Sequence, residues 1–170
     1  RSAGLNVKKG VVASYVHSAY ASGLGKIGVI VALESEADTE KLSAFGRQLA
    51  MHIAAANPIA VDVGDLDQTV VARERAVYLE QAQQSGKSAD VIEKMVEGRL
   101  RKEFMQQVVL LQQVFVIDGK ETVANIVKAK EKELGKPIRI GGFVRYALGE
   151  GIEKKEEDFA AEVAAAVKGS

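Results

Sequence analysis

Residues 27–33, IGVIVAL, form a nearly unbroken run of apolar, mostly β-branched side chains. A strand with one wet face alternates apolar and polar residues, whereas a continuous run suits a strand covered on both faces near the middle of a sheet. The run therefore demands neighbours on either edge and a layer packed against it. Residues 11–17 (VVASYVH) read as the first neighbouring strand, and residues 18–26 (SAYASGLGK), with two glycines, as a hairpin loop between the two. Residues 38–56 follow as a helix with Leu42, Phe45, Leu49 and Ile53 on one face, stopped by Asn57-Pro58. The order is β-β-α.

Residues 67–109 change character. Residues 70–84 (VVARERAVYLEQAQQ) lack Gly and Pro and read as helix. A second helix carries Ile92, Val96, Leu100, Phe104 and Val108 at a spacing of four, with charged residues on its flanks. A stripe that narrow suits a helix packed on one partner and otherwise solvated, so the pair is expected as a protruding antiparallel hairpin. Gly98 lies inside the second helix, where glycine costs about 1 kcal/mol relative to alanine; a kink or a close backbone approach is the expectation. Residues 114–117 (VFVI) read as a short buried strand or extended segment closed by Asp118-Gly119. Residues 121–134 read as an amphipathic helix with Val123, Ile126 and Val127 inward, ended by Gly135 and Pro137. Residues 138–148 (IRIGGFVRYAL) read as a strand with a bulge or close approach at Gly141-Gly142, and residues 158–167 as a short Ala-rich helix. The class is α+β: a small antiparallel sheet layered with helices, plus the hairpin. The expected divisions are 1–66 for the first part of the core, 67–109 for the hairpin, and 110–170 for the rest of the core and the last helix.

Gly86-Lys87-Ser88 has the ending of a phosphate-binding loop. The full pattern G-x-x-x-x-G-K-[ST] also needs a glycine where Gln81 stands and a strand feeding the turn. Both are missing, so the tripeptide reads as a turn, with Gly86 left-handed after one helix and Ser88 capping the next. The remaining chemistry is sparse. The two histidines, His17 at a strand end and His52 in a helix, lack zinc-site spacing; His52 reads as structural and His17 as structural or interfacial. No G-x-S-x-G elbow and no cysteine occur, and residues 150–158 (EGIEKKEED) read as a solvated charged run. Lys plus Arg and Asp plus Glu both number 23, so nothing global attracts nucleic acid; the basic cluster Arg99, Arg101 and Lys102 is the one local basis for an RNA-binding alternative. No apolar run reaches the length of a membrane span.

Five strings are more specific than these patterns: GVVASYVH, KIGVIVALES, AMHIAAANP, SGKSADVIEKMVEGRLRKE and GEGIEKKEEDFAAEVAA. In this order and spacing they resemble the C-terminal part of bacterial and organellar elongation factor Ts, including its E-K-M-V-E-G-R string at Glu93 to Arg99 and its G-E-G-I-E-K string at Gly149 to Lys154. The resemblance implies a guanine-nucleotide exchange factor that binds elongation factor Tu and promotes GDP release, with no covalent catalysis, no cofactor and no nucleotide site of its own. It implies partner contacts at His17, which ends the family's S-Y-x-H strand, and at Val116 and Ile117, the hydrophobic pair after the family's Q-P-F segment. Val114 replaces the proline of that segment. It implies the bacterial cytoplasm, or the mitochondrial matrix or plastid for an organellar member. The family's N-terminal helical domain and its T-D-F-V wedge have no counterpart in these 170 residues, so the expectation is a fragment with partner docking and little exchange.

Overall fold

The computed structural model describes residues 2–150. Strand β1, Gly10–Ala21, pairs antiparallel with β2, Leu24–Glu34, which pairs antiparallel on its other edge with β3, Arg139–Ala147. The apolar run is thus the central strand, with Val29, Val31, Ala32 and Leu33 all buried. The expected loop at 18–26 is corrected: the strands continue to Ala21 and Leu24, leaving a turn at Ser22-Gly23 with Gly23 at φ 74°. Residues 17–24 are all exposed, so this end of the hairpin overhangs the core and has no apolar alternation to betray it. On the opposite edge, Ala32 pairs with Gly142 and Leu33 with Ile140, which makes Gly141 the extra residue of a β-bulge, as its sequence suggests.

Helix α1, Thr39–Ala56, lies across β1 and β2. Asp38 caps it by accepting from the Lys41 amide at 3.0 Å, and Asn57 ends it in the left-handed conformation at φ 48°. Its predicted face is the core: Leu42, Phe45, Leu49 and Ile53 are essentially unexposed against Val31 and Leu33. Each such side chain contributes roughly 1.5–3 kcal/mol by leaving water. Gly46 permits the contact, because a Cβ there would stand 2.6 Å from the Ala13 Cβ.

Helix α2, Gln68–Gln83, and helix α3, Ala89–Arg99, follow as the sequence predicts. Asp67 caps α2 through the Thr69 amide. Gly86 is left-handed at φ 66° but stands two residues beyond the cap Gln84, and Ser88 takes the N-cap position without a side-chain bond. The two helices pack through Tyr78, Ala82 and Val96, joined by Leu100 just beyond α3. After Arg99 the chain passes into a π-helical turn, Leu100–Met105, and a last α-turn, α4, Gln106–Val108. A Cβ at Gly98 would meet nothing within 4 Å, so the close approach expected there is absent, and the irregularity lies two residues further on. Val71, Phe104 and Met105 join this pair to a small third cluster around Ala60, Leu66 and Val109.

Helix α5, Val123–Leu134, starts at the cap Thr122 and ends at left-handed Gly135, with Val123 and Val127 buried and Ile126 partly so. Residues 114–117 do not form a buried strand. Only Phe115 is buried, Val114 makes a single bridge to Thr122, and Val116 and Ile117 stand in a turn. Apolarity there comes from one anchor and three exposed side chains, and the backbone bonds go to neighbours other than a strand ladder. The architecture is α+β, a three-stranded antiparallel sheet with helices. The helix expected at 158–167 and most of the charged run at 150–158 lie outside the described residues.

Candidate functional site

His17, on β1, and Val116 with Ile117, a hundred residues later, line one groove of about 540 Å³. Tyr15, Ile27, Met51 and Arg145 complete most of its wall. Tyr15 and His17 are two apart on one strand and so share a face; the Tyr15 hydroxyl lies 3.0 Å from His17 Nδ1. Val116 is 48% exposed, Ile117 47% and Met51 38%, an apolar rim presented to water rather than to the core. Arg145 is mostly covered; its Nη1 lies 3.5 Å from Glu150 Oε1, which leaves a guanidinium at the floor instead of a free cation.

The loop that raises Val116 and Ile117 is closely bonded. The Phe115 amide donates to Glu121 O at 2.8 Å and the Gly119 amide to Phe115 O at 2.8 Å. Asp118 Oδ1 accepts from the Lys120 and Glu121 amides, and Gly119 takes φ 67°. Beneath the loop, buried His52 accepts the Val116 amide at Nδ1, 3.2 Å, and its Nε2 sits 2.9 Å from Gln113 Oε1. The Val116 N–H can only donate, so Nδ1 is unprotonated and the ring proton is on Nε2, donated to Gln113. The Gln113 amide nitrogen donates to Ala56 O at 3.2 Å and Gln107 O at 2.6 Å. Burial pushes the His52 pKa below its ordinary value, outweighing the Gln113 bond that raises it. His52 is buried and bonded at both ring nitrogens, in keeping with its place within a helix in the sequence.

The basic cluster behaves differently. Arg99 donates from Nε and Nη2 to Glu103 at 3.0 Å each, donates from Nη1 to Gln81 at 2.6 Å, and stacks 4.2 Å from the centre of the Tyr78 ring. That guanidinium is spent within the helix pair. Gln81 and Gly86 belong to a helix and its turn, and a helix, not a strand, leads into that turn, so a phosphate cradle is not assembled. Among the described residues no helix is long and apolar enough to cross a membrane.

Comparison with known proteins adds what this geometry leaves open. The family model described as "Elongation factor TS" matches residues 1–150. Elongation factor Ts of Brucella anthropi is 58% identical over 169 residues, covering 99% of this chain and 55% of the relative. That of Bartonella quintana is 59% identical and that of Bartonella tribocorum 57%, with the same coverage. The chain belongs to the elongation factor Ts family.

It spans about half the length of the curated relatives it matches. The family string E-K-M-V-E-G-R falls on α3, just before the π-helical turn, and the S-Y-x-H string contributes Tyr15 and His17 to the groove. Met51 and Arg145 escaped the sequence reading as wall residues of the groove. Met51 lies next to buried His52 on α1 but is itself exposed, an apolar side chain on a helix surface shared with Arg47, Gln48 and Ala55. Arg145 carried no local signal.

Proposed function

We propose that this chain docks onto elongation factor Tu through the groove lined by His17, Val116 and Ile117, as part of a guanine-nucleotide exchange factor for that GTPase. The supporting observation is convergence: three positions that the family resemblance marks, drawn from a strand and a loop a hundred residues apart, share one solvent-open groove. An exposed apolar rim around a partly covered cation and an imidazole suits burial of apolar side chains of a protein partner. Exchange requires no covalent step. A factor that binds the nucleotide-free partner more tightly than the GDP-bound one lowers GDP affinity by the same factor, through reciprocal coupling. The bacterial relatives support the cytoplasm as the setting.

The 170 residues contain no T-D-F-V string. This chain on its own is therefore expected to bind elongation factor Tu while releasing little GDP. Release of mant-GDP from elongation factor Tu, measured beside a pull-down, tests both halves. Absence of binding overturns the docking reading, and exchange at the rate of a full-length relative overturns the need for the wedge. His17→Ala is expected to weaken the pull-down; unchanged binding removes that residue from the interface. RNA binding remains the rival, and the engagement of Arg99 by Glu103, Gln81 and Tyr78 tells against it.

A further inference from the structure

We propose that His52 is a positioning residue for docking, holding the Val116 amide through Nδ1 so that Val116 and Ile117 stay at the rim of the groove. The proposal rests on the docking reading above and adds a residue that lies wholly beneath the surface. His52 is 0% exposed and fully bonded: Nδ1 accepts from Val116, and Nε2 donates to Gln113. An imidazole is a costly way to fill an apolar core, because each buried polar atom must find a partner. An aliphatic side chain would fill the same volume without that demand. What the imidazole adds is an acceptor aimed at the loop.

The position of that acceptor matters. Within the turn, Phe115 bonds Glu121 and Gly119 bonds Phe115, so the loop closes on itself. The Val116 amide is the link from this closed turn to α1. Gln113 locks the other side of the ring: its two amide protons go to Ala56 O and Gln107 O, which turns Oε1 toward His52 and fixes the tautomer. Phe115 packs against the same ring at 5.6 Å between centroids. The end of α1, α4 and the loop thus meet at the bonded pair His52 and Gln113. An exposed apolar pair binds better when its conformation is set before the encounter, since less ordering is left to the binding step.

Two substitutions separate the ring nitrogens. Asparagine at 52 keeps an acceptor near the Nδ1 position and gives up the reach to Gln113; glutamine keeps the reach to Gln113 and gives up the acceptor for Val116. His52→Gln is expected to weaken binding to elongation factor Tu about tenfold and to speed exchange of the Val116 amide, as loss of one buried bond implies. His52→Asn is expected to stay within about threefold of the unaltered chain. Equal binding by the two variants overturns the proposal, as does a Val116 amide that exchanges no faster in His52→Gln. The unaltered chain supplies a measurement free of any folding risk. In nitrogen NMR of its complex with elongation factor Tu, Nδ1 of His52 is expected to remain unprotonated and coupled across the hydrogen bond to Val116; loss of that coupling on binding overturns the proposal. If the unaltered chain does not bind at all, the docking reading falls and takes this one with it. Binding with His52→Gln and His52→Asn indistinguishable sinks this proposal alone.

Discussion

The sheet with α1 and the pair α2–α3 are held together in different ways. Under α1 the contact is deep: Leu33, Leu42, Leu49, Ile53 and Val31 are all at 0% exposure, and Phe45 is at 1%. The helix pair buries only Tyr78, Ala82, Val96 and Leu100 between its members. It supplements them with surface groups: Arg75 bridges Glu93 and Glu97, and Arg99 bridges Glu103. Such exposed pairs are screened by water and contribute little each, against several kcal/mol for a buried aromatic side chain. Among the described residues α2 makes its main contacts with α3 and the π-helical turn, with none of that weight falling on the sheet. A fold can therefore keep one part rigid by burial while letting another stand at the lower end of local stability.

The sharpest way to probe that contrast is to remove Phe45. Phe45→Ala is expected to cost about 3–5 kcal/mol in urea unfolding, because it empties the deepest layer. Leu100→Ala should cost less, about 2–3 kcal/mol, and raise amide exchange chiefly in residues 68–105. Equal acceleration in β2 would show that the two regions unfold as one and would break the comparison. Gly98→Ala runs in the opposite direction. The added methyl meets open space, so a gain of about 1 kcal/mol in the pair is expected. A loss instead would mean that the π-helical turn needs glycine beside it.

The smallest change is one proton. His52 has its native pKa held below the ordinary 6.5 by burial. Between those two values the unfolded chain binds a proton that the native state refuses, so stability falls as pH drops below 6.5 and levels off below the native value. A urea titration at successive pH values checks the slope, which His52→Gln should flatten; an unchanged slope in that variant would assign the acid sensitivity to another group.

Much of this was legible where short-range chemistry decides. Asp38 and Asn57 bracket α1 in sequence as they do in space, Gly141 marks its bulge, and the faces of α1 and α5 follow from spacing alone. Legibility failed at the overhanging strand ends of residues 17–24, where exposure on both faces leaves no pattern, and at residues 114–117, where β-branched side chains imitate a strand. The groove is a harder case. Its convergence depends on the pairing of β1 with β2 and on a bond between residues 52 and 113, distances along the chain that local periodicity does not span. The family resemblance marked His17, Val116 and Ile117; the imidazole holding one of them was readable only as a core residue.

The π-helical turn at Leu100–Met105 has a consequence for the stripe that precedes it. An α-helix returns to the same side every 3.6 residues, so side chains spaced by four precess around it by about 40° at each step. Across Ile92, Val96, Leu100, Phe104 and Val108 that drift would carry the last side chain nearly to the opposite side. A stretch bonded to the fifth residue instead of the fourth is wound more loosely and turns the later members back. All five are buried or partly buried in the structure. The uniform interval of four is thus a specification of pitch as well as of polarity: it belongs to a helix that must unwind partway along to keep one side toward its neighbour.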